Sequence, residues 1–340
     1  MEAVFERIDV AEGSPVLPDI LKERFTDYPI TSAGAWREDQ LTFRLRWEGG
    51  YANHLNPDVR TTLGNEYRQR WQKAAAPKTA QLDAIKTLPI AERKRERKKI
   101  RPFPGVTMTF EGFDETEAGL VVKTRVGNYA QVSPDFGISS PSFLARLQED
   151  YPDLKQEDLW KVVRGMGVQI HAETADGFHI FGQRAANVMG AGFISSLGIT
   201  PNISDEQMRE FNIKAGWNRQ FDVPSTWLFD SIRTDIAEHD ELNLESAGLE
   251  QSGFESLNFI GAIPDSKAGW MTLLILCKLN VTSSDIKGLW SAAPDHEYNN
   301  LIFVKNNPAS LTELLCRPNV YPSQYGGYHA YFRMHHPELF

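Results

Sequence analysis

The 340-residue sequence is poor in cysteine, in long apolar runs and in positive charge. Its two cysteines, Cys277 and Cys316, lie far apart and form neither a disulfide framework nor zinc-ligand spacing. The most apolar stretch, residues 269–281, is too short to span a bilayer and contains Lys278. The first residues carry acids rather than the apolar segment of a secretory signal. These absences predict a cytoplasmic protein with reduced thiols and no membrane segment.

The formal net charge of −9 argues against a dedicated nucleic-acid-binding protein, because such proteins gain affinity by neutralising phosphates. The sequence also lacks a G-x-G-x-x-G motif and a P-loop, which argues against a doubly wound nucleotide-binding domain. One basic run, residues 93–101, stands apart from the acidic background. We interpret it as a solvated helix face with Glu96 interleaved. A nuclear address, an anion-binding patch and a partner-binding adaptor segment are the alternatives.

Apolar and polar residues alternate along several segments and predict β-strands. Residues 106–131 indicate a hairpin around an acidic turn, and residues 167–185 indicate a second hairpin around Asp176-Gly177. Helical patterns occupy residues 140–165 and 231–242. Later strands are predicted at residues 256–264, 269–281 and 301–304, with a further helix near the end. Strands before and after helices predict an α+β fold with a mixed sheet.

The order of these segments resembles the Nudix hydrolase superfamily. GVQIHAETADGFHIFGQRA (residues 167–185) is similar to that family's first hairpin, whose second strand ends in "qR". DSIRTDIAEHDELN (residues 230–243) lies where the family carries its catalytic helix, and APDHEYNNLIFV (residues 293–304) is similar to its acidic exit loop and strand. The resemblance implies a Nudix-like α/β/α sandwich at residues 161–340, preceded by an N-terminal α/β extension at residues 1–160.

The resemblance also implies a divalent-cation-dependent pyrophosphohydrolase of a nucleoside diphosphate-linked substrate, with Mg²⁺ or Mn²⁺ as cofactor. In the family, glutamates three and four residues apart share one helix face and hold the cation. Aligned with that pattern, Asp235, Glu238 and His239 take metal positions, and Glu238 is also a catalytic candidate. Glu297 is implied as the general base or as an additional metal ligand. Arg184 is implied either to bind the phosphates of a small nucleotide-type ligand or to lie at the edge of the core.

The sequence departs from the family pattern at its centre. Thr234 stands where the family has arginine, and Arg233 lies one residue earlier. The glycine-rich loop before the helix is missing, and either Gly198 or Gly216 is the replacement. A catalytically inactive Nudix-fold protein that binds a nucleotide or a partner protein is therefore the alternative function. We favour the enzyme because Glu297 survives alongside two helix acids.

A second register of the helix would restore Arg233 but would place Asp235 at an apolar position. The first register is preferred because Leu228, Ile232 and Ile236 then form one buried stripe. In that register the neighbouring acids at positions 240 and 241 are expected to be solvated.

Two further features of the sequence have more than one interpretation. His171 and His179 lie on the strands of the second hairpin, where they either line a pocket or are hydrogen-bonded in the interior, and we favour the interior. The aromatic tail, residues 321–336, is interpreted as a closing strand or a homodimer contact. Stacking on a nucleotide base is its alternative role.

Overall fold

The computed structural model describes residues 4–11, 16–28, 30, 32–47, 76–85, 87–88, 99–100, 106–128, 141–154, 165–186, 190–201, 220–238, 241–265, 270–290 and 297–340, with isolated positions between 58 and 96. Most of the basic run at residues 93–101 lies outside these residues, as do His239 and Gly216.

Twelve β-strands lie in the described residues. They are β1 (Val4–Ile8), β2 (Ser32–Arg37), β3 (Leu41–Trp47), β4 (Val106–Thr116), β5 (Gly119–Asn128), β6 (Gly165–Glu173), β7 (Phe178–Arg184), β8 (Ile194–Ile199), β9 (Gln220–Pro224), β10 (Phe254–Asp265), β11 (Trp270–Leu279) and β12 (Tyr298–Lys305). The α-helices of the same residues are α1 (Asp19–Thr26), α2 (Ala76–Ile85), α3 (Pro141–Asp150), α4 (Thr226–Ala237), α5 (Ser283–Leu289), α6 (Pro308–Leu315) and α7 (Ser323–His335).

The twelve strands form one mixed sheet, which confirms the predicted α+β class. Its main path runs β1-β12-β7-β8-β6-β4-β5-β3-β9, while β11 joins β6 to β10 and β10 joins β2. The pairs β1–β12, β3–β5 and β6–β11 are parallel. Among the described helices, none is long and apolar enough to cross a membrane.

The sheet is buried on both faces, as alternate residues of β12 show. Leu301 and Phe303 belong to the hydrophobic cluster that includes residues of α4, whereas Ile302 and Val304 belong to the cluster that includes residues of α1, α6 and α7. Successive strand side chains point to opposite faces, so one strand contributes to both clusters. Helices therefore cover the sheet on both sides.

Local sequence explains where two of the C-terminal helices begin. The Thr282 hydroxyl accepts a hydrogen bond from the backbone N–H of Asp285, and the Asp285 carboxylate accepts one from the backbone N–H of Thr282. This reciprocal capping starts α5. At α6, the Asn307 side chain accepts from the backbone N–H of Ser310, and Pro308 takes the first helical position.

Strands from the two halves of the chain pair with each other. β1 and β2 lie within residues 1–160 and pair with β12 and β10, and β9 lies within residues 161–340 and pairs with β3. The division into an extension and a second domain at residue 160 stays a prediction.

Both predicted hairpins are present, but the second one opens. β4 and β5 pair along their length. β6 and β7 are joined through Asp176-Gly177, where Gly177 has the positive φ of 78° that favours glycine. Only Glu173 and His179 pair directly between these strands, because β8 lies between their remaining residues. Gly198 lies inside β8 and pairs with Gln169, so it is not a loop glycine.

Three predictions were wrong in part. The helix predicted at residues 140–165 ends at Asp150, because Pro152 disfavours the helical conformation of Tyr151, and residues 155–164 lie outside the described residues. The helix predicted at residues 231–242 ends at Ala237. The aromatic tail contains the helix α7 rather than a closing strand. Its aromatic residues have strand propensity, but a buried stripe that includes Tyr328 and Phe332 gives it helical contacts with the core.

Candidate functional site

Arg184 and Glu297 lie together where β7 ends and β12 begins. Arg184 pairs with Tyr298 across the two strands, and the backbone N–H of Ala185 donates to the Glu297 carbonyl at 2.8 Å. These backbone contacts bring the Arg184 guanidinium to 3.8 Å from the Glu297 carboxylate. Both side chains keep about a fifth to a quarter of their surface exposed, at 19% and 25%. The structure therefore places this cation and this acid together at one partly exposed end of β7 and β12.

Tyr298 is the buried centre of this region. Its side chain is 1% exposed, and its hydroxyl donates to the Ser196 carbonyl at 3.3 Å. Burial raises the pKa of Tyr298 well above its usual value, and the negative charge of Glu241 acts in the same direction. Arg184 acts to lower that pKa and Glu297 acts to raise it. Three charged side chains thus lie within electrostatic range of one hydroxyl.

Glu241 is a residue whose environment was predicted wrongly. It was expected to be solvated, yet it is only 5% exposed. It lies next to Leu242, which is fully buried, in the turn after α4. One acid among several neighbouring acids gives no sign in the sequence that it is buried. The two leucines that follow it, Leu242 and Leu244, were the available indication, because a turn that buries both must lie close to the core.

Glu238 and Asp235 lie at the end of α4. Glu238 is the residue that terminates the helix, with an extended backbone (φ −65°, ψ 160°), and its N–H donates to the Thr234 carbonyl. Asp235 and Glu238 are three residues apart, and the N–H of Glu238 still makes a helical hydrogen bond, so the placement of both side chains on one face stays a prediction. Both residues are half-buried. The buried stripe of Leu228, Ile232 and Ile236 is confirmed.

No three acidic, histidine or cysteine side chains among the described residues are grouped so that they could hold a metal ion. Asp235, Glu238 and Glu297 are all described, so these three do not form such a group alone. The predicted metal set also contains His239, which lies outside the described residues. The metal site stays a prediction.

The Arg233 side chain lies in a different part of the molecule from the Arg184–Glu297 pair. Its guanidinium forms ion pairs with Glu38 and with Asp230, the latter at 2.8 Å. It lines an open cleft of about 620 Å³ between the start of α4, the segment joining β2 to β3, and β10. The cleft residues are Arg37, Glu38, Asp39, Leu41, Thr42, Pro224, Ser225, Thr226, Arg233, Glu255, Ser256, Leu257 and Asn258. Arg233 therefore stabilises the contact between α4 and the N-terminal strands.

His171 and His179 are fully buried in the interior, as favoured from the sequence. Nδ1 of His179 and the Tyr328 hydroxyl are hydrogen-bonded at 3.0 Å. Nε2 of His171 accepts a hydrogen bond from the Gln169 side-chain amide at 3.0 Å. Both residues lie under α7, away from the Arg184–Glu297 pair.

No protein-family model matches the sequence. No curated protein matches it. Two solved structures of a bifunctional NMN adenylyltransferase/ADP ribose pyrophosphatase from Francisella tularensis, one of them with AMP and a manganese ion, are weakly similar. The sequence identities are 10% and 12%, and the TM-score is 0.28 in both cases. The match covers 61% of this chain and 54% of those chains, so this chain spans about half of their length. A TM-score of 0.28 is too low to establish a common fold.

Proposed function

We propose that this protein is a divergent Nudix-type hydrolase of a nucleoside diphosphate-linked substrate that depends on a divalent cation. The observation that supports this most is the pairing of Arg184 with Glu297 at the accessible end of β7 and β12. A buried acid, Glu241, acts on the pKa of Tyr298, as Arg184 and Glu297 also do. A cation and an acid at one edge are the groups that a phosphate-cleaving site requires.

The roles follow from the chemistry of these groups. The Arg184 guanidinium presents a planar fork of donors that matches phosphate oxygens, so it would hold a phosphate of the substrate. The Glu297 carboxylate would accept the proton of the attacking water while the water oxygen bonds to phosphorus and the phosphoanhydride bond breaks. The products are a nucleoside monophosphate and the other phosphorylated half. A substrate phosphate would then compete with Glu297 for the Arg184 side chain.

The proposed cation would be held by Asp235, Glu238 and His239. Carboxylate oxygens are the donors that Mg²⁺ prefers, and Mg²⁺ is commonly held by one or two protein carboxylates with substrate phosphates. Asp235 and Glu238 would supply two such carboxylates. When bound, such a cation neutralises phosphate charge.

The test is the release of nucleoside monophosphate from a panel of nucleoside diphosphate sugars and dinucleotides with Mg²⁺ or Mn²⁺. Glu297→Gln is expected to lower kcat by about 10²–10⁴-fold, because the general base is lost while the side-chain volume is kept. Glu238→Gln is expected to abolish metal-dependent turnover. Glu250→Gln, at an exposed acid beyond the α4 turn, is the matched control and should retain full activity. Turnover that survives Glu297→Gln and Glu238→Gln would overturn the proposal.

The second candidate function is nucleotide or protein binding without catalysis. It is favoured by the ion pair of Arg184 with Glu297, because an acid held by a cation is a weaker base toward a water molecule. This candidate predicts a higher melting temperature with a nucleotide, no turnover of any panel member and no effect of a chelator on binding. Metal-dependent hydrolysis by the purified chain would exclude it.

A further inference from the structure

Histidines are concentrated around the C-terminal helix α7. Of the eight histidines in the sequence, His329 and His335 lie on α7, His336 follows it, and His171 and His179 lie beneath it. The imidazole side chain changes charge near neutral pH, so this cluster makes the contact between α7 and the sheet sensitive to protons.

A chain of hydrogen bonds determines which protons His171 carries. The backbone N–H of Ser196 can only donate, so the Gln324 side chain presents its oxygen to it, at 3.1 Å. The same oxygen accepts from the Gln169 amide nitrogen at 3.2 Å. That nitrogen therefore also donates to Nε2 of His171, at 3.0 Å. A neutral His171 fits this arrangement, whereas an imidazolium would set an N–H against the amide N–H.

The interior around both rings excludes water, so a positive charge on either ring would not be solvated. His171 and His179 are both 0% exposed, and their ring centres lie 6.5 Å apart. Within the described residues, Nδ1 of His171 has no hydrogen-bond partner. The carboxylate of Glu173 accepts a hydrogen bond from Asn306 at 2.7 Å. The titratable or charged groups that face the pair are His335, Tyr328 and Tyr331 on α7, His336 after α7, and Glu173 on β6. Lys278 on β11 acts on His335.

Helix α7 depends on these contacts with the sheet. Gly326 and Gly327 lie in its interior, where glycine weakens a helix. A methyl group at Gly327 would overlap the Gln169 amide and Nε2 of His171, and one at Gly326 would overlap Ile263. The two glycines therefore allow the helix to lie directly on the buried polar groups. The same glycines leave the helix with little stability of its own.

We infer that α7 is an acid-sensitive latch, which leaves the sheet when His171 and His179 become protonated while the central strands stay folded. Burial holds both rings neutral, and the Gln169 amide favours the neutral form of His171, only as long as α7 is seated. Release of α7 hydrates the rings and lets both accept protons. It also removes the Gln324 side chain from the N–H of Ser196.

The direction of the pKa values agrees with this inference. Burial lowers the pKa of His179 from 6.5 to about 3, and it lowers the pKa of His171 well below 6.5. When α7 is released, both rings regain a pKa near 6.5. The seated state is therefore favoured fully above about pH 6.5, and its advantage falls about tenfold per pH unit and per histidine below that pH. The proposed release of α7 does not rest on the proposed hydrolase activity, because hydrogen exchange measures it without turnover.

The test is amide hydrogen exchange of the whole chain, expressed as protection factors at about pH 7.5 and about pH 5.5. One pH unit below 6.5 corresponds to about tenfold per histidine, so protection of residues 323–335 is expected to fall by up to about 100-fold. Protection of β11, residues 270–279, is expected to fall much less. Parallel loss of protection in α7 and β11 in the wild-type chain would overturn the inference.

Variants separate the two histidines from general acid effects. In His171→Gln with His179→Asn, each amide replaces the ring nitrogen that is hydrogen-bonded, but neither accepts a proton. This double variant is expected to lose the acid-dependent fall in α7 protection, and each single variant is expected to lose about half of it on a logarithmic scale. Glu250→Gln, at an exposed acid that is not among the groups facing the pair, is the control and should behave as the wild type. An unchanged acid-dependent fall in the single or double variants would refute the latch, and if the variants do not fold, the wild-type comparison of α7 with β11 decides.

Discussion

At the scale of single residues, the contact between Gly182 and Tyr298 supports the candidate site. The Tyr298 ring lies directly over Gly182 of the neighbouring strand, so that a methyl group at position 182 would overlap the ring. The ring position in turn determines where β12 begins and where Glu297 lies. A glycine here is required for close approach rather than for an unusual backbone conformation.

We expect Gly182→Ala to lower the free energy of unfolding by about 1–3 kcal/mol, because the added methyl group overpacks a rigid aromatic contact. Gly288→Ala is the matched control, since nothing lies within 4 Å of a methyl group at that helical position. It should leave stability unchanged or raise it by up to about 1 kcal/mol. Urea unfolding of both variants measures the difference. Equal stability of the two would contradict the proposed close contact.

Arg184 and Glu297 were identified because the segments that carry them resemble the hairpin and the acidic exit loop of the Nudix pattern. The pairing of β7 with β12 then brought them together. Glu241 was missed because its burial depends on how the chain turns after α4. That turn is determined by where Leu242 and Leu244 enter the core, which no local pattern specifies.

At the scale of elements, the turn between β6 and β7 is also a cap for α5. The Asp176 carboxylate accepts from the backbone N–H of Ser283 at 2.8 Å, from the Ser283 hydroxyl at 2.7 Å and from the Thr174 hydroxyl at 2.7 Å. Burial acts to raise the pKa of Asp176, but these hydrogen bonds outweigh burial and the pKa is lowered. One residue thus joins the hairpin to a helix that begins far away in the sequence.

Asp176→Ala is expected to lower the free energy of unfolding by about 2–3 kcal/mol, since hydrogen bonds to a charged acceptor are lost. Asp176→Asn keeps one acceptor oxygen and should lose less. Because the pKa is lowered in the folded state, the stabilisation is present above about pH 3.9 and is lost as the pH falls further. Urea unfolding at neutral and acidic pH measures both effects. An alanine variant within about 0.5 kcal/mol of the wild type would count against the cap.

The Asp-Gly turn was predictable because two adjacent residues carry the signal. The second role of Asp176 was not, since its partner Ser283 is separated from it by 107 positions. The aromatic tail shows the same limit. Tyr328 and Phe332 have a helical spacing, but Gly326 and Gly327 weaken the helical pattern. Only the close contact with the sheet explains why glycine is there.

At the scale of the whole molecule, residues 1–160 and 161–340 build one sheet between them. β1 adds a parallel strand beside β12, and α1 contributes Leu21 and Phe25, which are 0% and 2% exposed, to the core under α7. The α+β class was predictable from the alternation of strand and helix patterns. The order of the strands was not, because pairs such as β1–β12 and β2–β10 join segments that no local pattern connects.

A fragment of residues 161–340 is therefore expected to fold poorly on its own. It would lose the strand beside β12 and would expose the apolar surface that Leu21 and Phe25 cover, which costs about 1.5–3 kcal/mol for each large side chain. Circular dichroism and urea unfolding of the fragment, compared with the full chain, measure this. A cooperative transition at the urea concentration of the full chain would show that residues 1–160 are dispensable for the second half.

The pairing of Val4 with Asn300 also has a consequence for synthesis on the ribosome. The first strand emerges early, but its neighbour in the sheet is translated nearly three hundred residues later. Until then the backbone amides of β1 lack their strand partner, and the sheet lacks the outermost strand beside β12. The β1–β12 part of the sheet therefore forms late, and nascent chains stalled before β12 should be sensitive to protease.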